Sequence, residues 1–254
     1  MKKLLLSLLL GLSLTTQISY AALTDQLTHY YSYNSGSTDS VGSNNGTDTN
    51  TPTYTPGKID NALTTVAVSS QYTSFSQTSF LPWGTNAYTV NMWVKFASTA
   101  GNQSLMMVTG GSAGASGVNM YLSGGSIQND KPYIVGLGYT WSGADTNWHM
   151  WTFVSSSTGM ATYLDGTRVS SNTNTGNIGN PGTTVPMGAY NFSGAIQAGW
   201  YLDGQMDEVG IWSRGITPAE IVQLYNSGAG LAYPFTPAAT SPTTLGFFRF
   251  FKRF

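Results

Sequence analysis

The segment Leu202-Asp203-Gly204-Gln205-Met206-Asp207-Glu208-Val209-Gly210-Ile211-Trp212-Ser213-Arg214 reads as an extended strand running into a turn. Met206, Glu208, Gly210 and Trp212 alternate with Asp207, Val209 and Ile211, the period of two that sends successive side chains to opposite faces of a sheet. Directly after it, Thr217-Pro218-Ala219-Glu220 is a capping box with proline at the first helical position. Ile221, Leu224 and Tyr225 then form an apolar stripe and Gly228 supplies a stop, so one short helix is predicted from Pro218 to Asn226.

Upstream the same period recurs. In Tyr88–Phe96, Tyr88, Val90, Met92, Val94 and Phe96 share one face, while Thr89, Asn91, Trp93 and Lys95 share the other. Further strands are predicted over 104–109, 118–123, 132–137, 149–155, 160–164 and 167–170. Asp165-Gly166 between the last two is a hairpin signal, because both residues tolerate the positive φ of a two-residue turn. The segment from Ser32 to Pro56 is rich in Ser, Thr, Asn, Gly and Asp and reads as a long polar loop. Many strands with one late helix predict an all-β, two-sheet antiparallel sandwich.

Composition agrees. The 254 residues are 41% hydrophobic, 13% aromatic and only 8% charged, which is too apolar for disorder and too poor in helix formers for a bundle. Lys2 and Lys3 open the chain and Arg249, Lys252 and Arg253 close it; between them lie five bases against eleven acids, a net of about −6. With no basic cluster in that interior, nucleic acid is excluded as a partner. Cysteine is absent, so no disulfide stabilises the fold.

Residues 1–21 read as a signal peptide: Met1-Lys2-Lys3 is basic, Leu4 to Leu14 is apolar, and Ser19-Tyr20-Ala21 offers a cleavage site after Ala21. That apolar run is well short of the roughly 20 residues a membrane span needs. The expected location is therefore secreted, either extracellular or at a cell surface. Residues 236–254 form a Pro/Ala/Ser/Thr linker and a tail, Leu245-Gly246-Phe247-Phe248-Arg249-Phe250-Phe251-Lys252-Arg253-Phe254, whose aromatic and basic character suits contact with a membrane surface.

The closing strand and its capped helix resemble the ending of LamG-like, concanavalin A-like lectin/glucanase jelly-roll domains. The resemblance extends to Pro56-Gly57-Lys58-Ile59-Asp60-Asn61-Ala62-Leu63, Thr89–Lys95, Asn147-Trp148-His149 and Tyr163-Leu164-Asp165-Gly166, in the family's order, and covers Leu27 to Phe235. It implies a jelly roll over residues 22–235, with one concave and one convex sheet. In many proteins of this fold an early loop and a last-strand aspartate share a calcium ion; matched to this chain, that points to Asp39 and Asp207, with Asn45 or Asp203 assisting.

Calcium takes six to eight oxygens, and the Asp39–Thr47 loop is rich in them. The same fold hosts glycan-cleaving enzymes, which need two carboxyl groups about 5 Å apart. The chain has only Glu208 and Glu220 as glutamates, and Glu220 belongs to the helix cap, so no catalytic residue is expected. His149 reads as a packed strand residue, and Gly110-Gly111-Ser112-Ala113-Gly114 as a turn. Rim aromatics remain: Trp83, Tyr139, Trp141, Tyr190 and Trp200 fall in Gly/Ser/Asn-rich contexts, and aromatic faces suit pyranose rings. The expected function is a non-catalytic module that binds a carbohydrate or glycoconjugate. The alternative is an adhesive component binding protein partners of a cell surface or assembly.

Overall fold

The computed structural model describes residues 21–77, 80–82, 87–108, 118–131, 135–175, 184–192 and 194–236. Most of the signal segment, the tail, Trp83 and the Gly110–Gly114 run lie outside the described residues. A four-residue helix, α1 (Ala21–Thr24), leads into seventeen strands among the described residues. The first eight are β1 (Leu27–Tyr31), β2 (Thr47–Thr49), β3 (Thr53–Pro56), β4 (Asn61–Thr65), β5 (Tyr72–Ser76), β6 (Tyr88–Phe96), β7 (Asn102–Val108) and β8 (Val118–Ser123). There follow β9 (Ser126–Lys131), β10 (Val135–Thr140), β11 (His149–Ser156), β12 (Gly159–Leu164), β13 (Thr167–Asn172) and β14 (Thr184–Met187). The short β15 (Asn191–Phe192) and β16 (Ala195–Ile196), then β17 (Gly204–Trp212), precede the helix α2 (Pro218–Tyr225).

Two antiparallel sheets form a sandwich. The first has the order β13-β12-β11-β6-β17-β4-β3, with β1 also paired to β17; the second runs β10-β9-β8-β7-β14-β5-β2. Between them lies one core, to which the first sheet gives Val90, Met92, Val94, Trp151 and Phe153 and the second gives Val118, Met120, Leu122, Ile127 and Met187. A second cluster covers the outer face of the first sheet. There Trp93, Met150, Tyr163 and Trp212 pack under Ile221 and Leu224 of α2, with Leu23 and Phe235 from the two ends. This is why β6 is buried along almost its whole length: its two faces serve two cores.

The sequence expectations hold for the fold and are refined in three places. The period of two breaks in β17, where a bulge between Asp207 and Gly210 inserts a residue against β6. Met206, Val209 and Ile211 therefore face the inter-sheet core while Trp212 faces the outer one. Glu208 takes φ +50° at this bulge. The polar 32–56 segment is not wholly loop, since β2 and β3 form edge strands within it. The helix stops one step earlier than its glycine suggests, because Asn226 adopts the left-handed C-cap at φ 47°. The capping box is present as read, with Thr217 accepting from the Glu220 amide. Asp165 and Gly166 take φ 51° and 77°, the two-residue hairpin turn anticipated between β12 and β13.

Candidate functional site

On the outer face of the second sheet the chain builds a cluster of three aromatic rings. In β8, Val118, Met120 and Leu122 point into the core, so Tyr121 points out. Tyr190 and Trp200 come from the segment between β14 and β17, which folds back on itself through the β15–β16 hairpin. Bonds from Gln197 N to Tyr190 O (2.8 Å) and from Ser104 N to Trp200 O (3.2 Å) fix this segment against β7. The Tyr190 and Trp200 rings stack at 4.6 Å between centroids. Tyr121 meets Trp200 edge-on at 5.6 Å and Tyr190 at 6.5 Å. All three are half-buried, so each has ring surface left for a ligand.

Gly199 and Tyr201, the neighbours of Trp200, line a cleft of about 420 Å³ together with Val68, Ser98, Gln103 and Asp203. Gln103 is held at both ends, its Nε2 donating to Ser98 O at 2.5 Å and its Oε1 accepting from Asp203 N at 3.0 Å. Asp203 Oδ1 accepts from Ala67 N at 3.3 Å. Val68 is 94% exposed at the cleft's edge, an apolar side chain with no packing role of its own. The three platform rings do not themselves line this cleft, whose one aromatic is Tyr201; exposed flat rings with polar groups nearby are the usual make-up of a sugar site.

Of the five aromatic residues proposed from sequence, Tyr190 and Trp200 are brought together. Trp141 is a correction: its loop folds inward, so the indole joins the inter-sheet core at 7% exposure and meets the His149 ring edge-on at 4.7 Å. Tyr139 packs half-buried against that core and does not join the platform. Tyr121 was missed. Its signal was an aromatic on the polar face of an otherwise alternating strand.

The four residues matched to a calcium site are not brought to one point. Asp39 is enclosed by donors: Tyr30 N, Val41 N and Gly42 N reach Oδ1 at 3.1, 3.2 and 2.9 Å. Asn44 N reaches Oδ2 at 3.1 Å and His29 Nδ1 lies 2.6 Å from it. Burial raises the Asp39 pKa, but the His29 bond and these amides outweigh it and hold the carboxyl below its ordinary value. Asn45 is spent within the same loop, its Oδ1 accepting from Asp39 N at 2.9 Å. Asp207, fully buried, accepts from Lys58 N, Ile59 N and Glu208 N at 2.8 to 2.9 Å. Burial nonetheless lifts it to about 7.

A calcium site needs converging oxygens with lone pairs to spare. Here both buried carboxylates are engaged by N–H groups, and no group of three or more His, Cys, Asp or Glu that could hold a metal exists among the described residues. The arrangement does not fit the ion.

Two further polar features stand out. His149 bridges two carboxylates, Nδ1 to Asp165 Oδ2 at 2.7 Å and Nε2 to Asp145 Oδ1 at 3.0 Å. The Asp165 bond, opposed by desolvation and reinforced by Asp145, raises its pKa. Glu208 is 2% exposed, both its oxygens lack a hydrogen-bond partner, and burial lifts its pKa to about 8. Glu220 is held in its cap by Thr217 and by Arg214, whose Nη1 donates at 2.9 Å.

The sequence profile of the concanavalin A-like lectin/glucanases superfamily matches residues 66–222. No curated protein matches the chain in sequence. Among solved structures, domain 4 of an extracellular arabinanase from Geobacillus stearothermophilus, in complex with arabinotriose, is 19% identical. It covers 78% of this chain and 97% of that one at a TM-score of 0.58. The binding domain of botulinum neurotoxin serotype G is 14% identical, covering 80% of this chain and 51% of that one at 0.62. The binding domain of botulinum neurotoxin DC in complex with SialylT is 11% identical, with 80% and 51% covered at 0.61. The chain spans about half the length of these toxin domains. At such identities the likeness is one of fold.

Proposed function

The chain belongs to the concanavalin A-like lectin/glucanase superfamily, and on that premise we propose that it is an exported, non-catalytic carbohydrate-binding module. The observation that carries this reading is the Tyr121–Tyr190–Trp200 platform, and the cleft next along the chain holds the half-buried Asp203, whose backbone the buried Gln103 fixes. Stacked rings offer C–H-bearing sugar faces an apolar surface, and the polar groups orient hydroxyls. Arabinotriose bound to the arabinanase domain, and SialylT bound to a toxin domain, show that relatives of this fold take sugars.

The non-catalytic part rests on the acids. Retaining hydrolysis needs two carboxyl groups reaching substrate about 5 Å apart. Asp207 and Glu208 are both buried from solvent, and Glu220 is committed to its helix cap. Export rests on the basic and apolar character of Met1 to Ala21.

A glycan array followed by titration calorimetry tests the reading. Trp200→Ala and Tyr190→Ala should each weaken binding about tenfold, equivalent to roughly 1.4 kcal/mol of lost contact, with unchanged melting. Full retention by both variants would remove the platform from the reading. Exposed Phe192 and Val68 favour a second reading, adhesion to protein partners. A blank array with concentration-dependent self-association would select it.

A further inference from the structure

We propose that the opposite sheet carries a second binding site, for a sugar residue bearing a carboxylate or sulfate, centred on Arg168. The proposal rests on the carbohydrate-binding reading for its ligand class, but on different residues and a different face.

The strand register creates the site. In β11 and β12, Thr152 pairs with Tyr163 and Val154 with Ala161, all on the outer face of the first sheet. In β12 and β13, Tyr163 pairs with Arg168 and Ala161 with Ser171. Strict alternation would send residues 168 and 171 to opposite faces. The bulge between Thr162 and Tyr163 absorbs Val169, so Arg168 and Ser171 both face outward. With Ile216 and Pro218 forming the far wall, these residues line a cleft of about 520 Å³, within the range of small-ligand sites.

Its chemistry is specific. Val154, Ala161, Tyr163 and Ile216 give it an apolar floor, while Ser171 and Asn172 supply hydrogen-bonding groups. Arg168 is the one charged side chain in the lining, and it forms no ion pair among the described residues. Arg214 pairs with Glu220 and Lys58 sits 4.3 Å over the Trp93 ring; Lys95 also makes no ion pair among the described residues, but it does not line this cleft. A guanidinium left unpaired on an acidic protein, in a cleft lined by no carboxylate, is placed for an incoming oxyanion. Its planar fork matches a carboxylate or sulfate bidentately, and the apolar floor suits the ring that carries the group.

Titration calorimetry of the full chain with three probes tests this: an oligogalacturonate, a sulfated galactose oligosaccharide, and a neutral arabino-oligosaccharide. Arg168→Gln should weaken the preferred acidic probe at least tenfold, Arg168→Lys about threefold, and neither should affect the neutral probe. The two acidic arms identify which oxyanion is taken. Raising salt from 50 to 500 mM should weaken the acidic probe alone. Failure of both acidic probes to bind, or acidic binding that survives Arg168→Gln, overturns the proposal. Loss of acidic binding in Trp200→Ala but not in Arg168→Gln would overturn it too, by assigning the ligand to the aromatic platform. Neutral binding lost only in Trp200→Ala reports on that platform alone, so the two readings fail separately. Arg168 is exposed, and its variants are expected to fold.

Discussion

His149 shows how one side chain can join separate loops. It links Asp145, in the loop that also carries Trp141, to Asp165 at the turn of the β12–β13 hairpin, and Asp165 Oδ1 in turn accepts from Met150 N at 2.9 Å. Because the folded pKa is raised above the ordinary histidine value of 6.5, the native state holds the proton more tightly than the unfolded chain. The resulting stability is fully present below about 6.5 and is lost as pH rises through the folded value. Asp207 and Glu208, lifted to about 7 and about 8, also favour acid, so they must be cancelled by difference. The expected outcome is that wild type melts above His149→Gln at pH 6 and that the gap narrows by pH 8.5. A gap constant with pH would show that the imidazolium bridge contributes nothing. Residue chemistry of this kind was poorly legible in sequence: histidine in a strand pattern gave no hint of two aspartates, one 4 and one 16 residues away. Trp141 was misplaced for a related reason, since a glycine-rich context marks a loop but not the direction in which it folds.

At the scale of elements, legibility followed hydrophobic contrast. β6 and β8 were readable because apolar and polar positions largely alternate, β11 and β12 because they are short runs dense in large apolar residues, and the capped helix because each capping residue has a distinct role. β9 and the edge strands β2 and β3 were missed because their polar sequences resemble loops. The Gly124-Gly125 turn, with φ 55° and 77°, was the overlooked sign that β8 and β9 form a hairpin. The early loop is organised by backbone approach instead of hydrophobicity. A Cβ on Gly42 would lie 2.6 Å from Asp39 Oδ2 and 2.8 Å from Thr28 O, so glycine permits the amide cradle to close. Gly42→Ala should therefore cost about 1–3 kcal/mol by urea denaturation, as overpacking usually does. Gly143→Ala, with nothing within 4 Å of its Cβ, should stay within about 0.5 kcal/mol. Equal effects at the two positions would show that the cradle tolerates the methyl group.

For the whole molecule the question is what stabilises a chain with no cysteine, for which calcium was a reasonable expectation from sequence. The structure answers with two hydrophobic clusters: the first sheet is buried on both faces, on one side against its partner sheet and on the other under α2 and the two chain ends. The second sheet consequently presents the aromatic platform on a face that the helix does not cover. Carboxylates that a metal would use are instead satisfied by the backbone, Asp39 in the early loop and Asp207 beneath Gly57-Lys58-Ile59. An ion bound a hundredfold above its Kd would add about 2.7 kcal/mol. In a domain of this size that is roughly 5–10 °C of melting temperature. Thermal denaturation in 1 mM EDTA and in 1 mM calcium should therefore give the same midpoint within about 1 °C. A calcium-dependent rise of several degrees, removed by Asp39→Asn, would mean that the early loop rearranges around a cation and that the amide cradle is not its resting state.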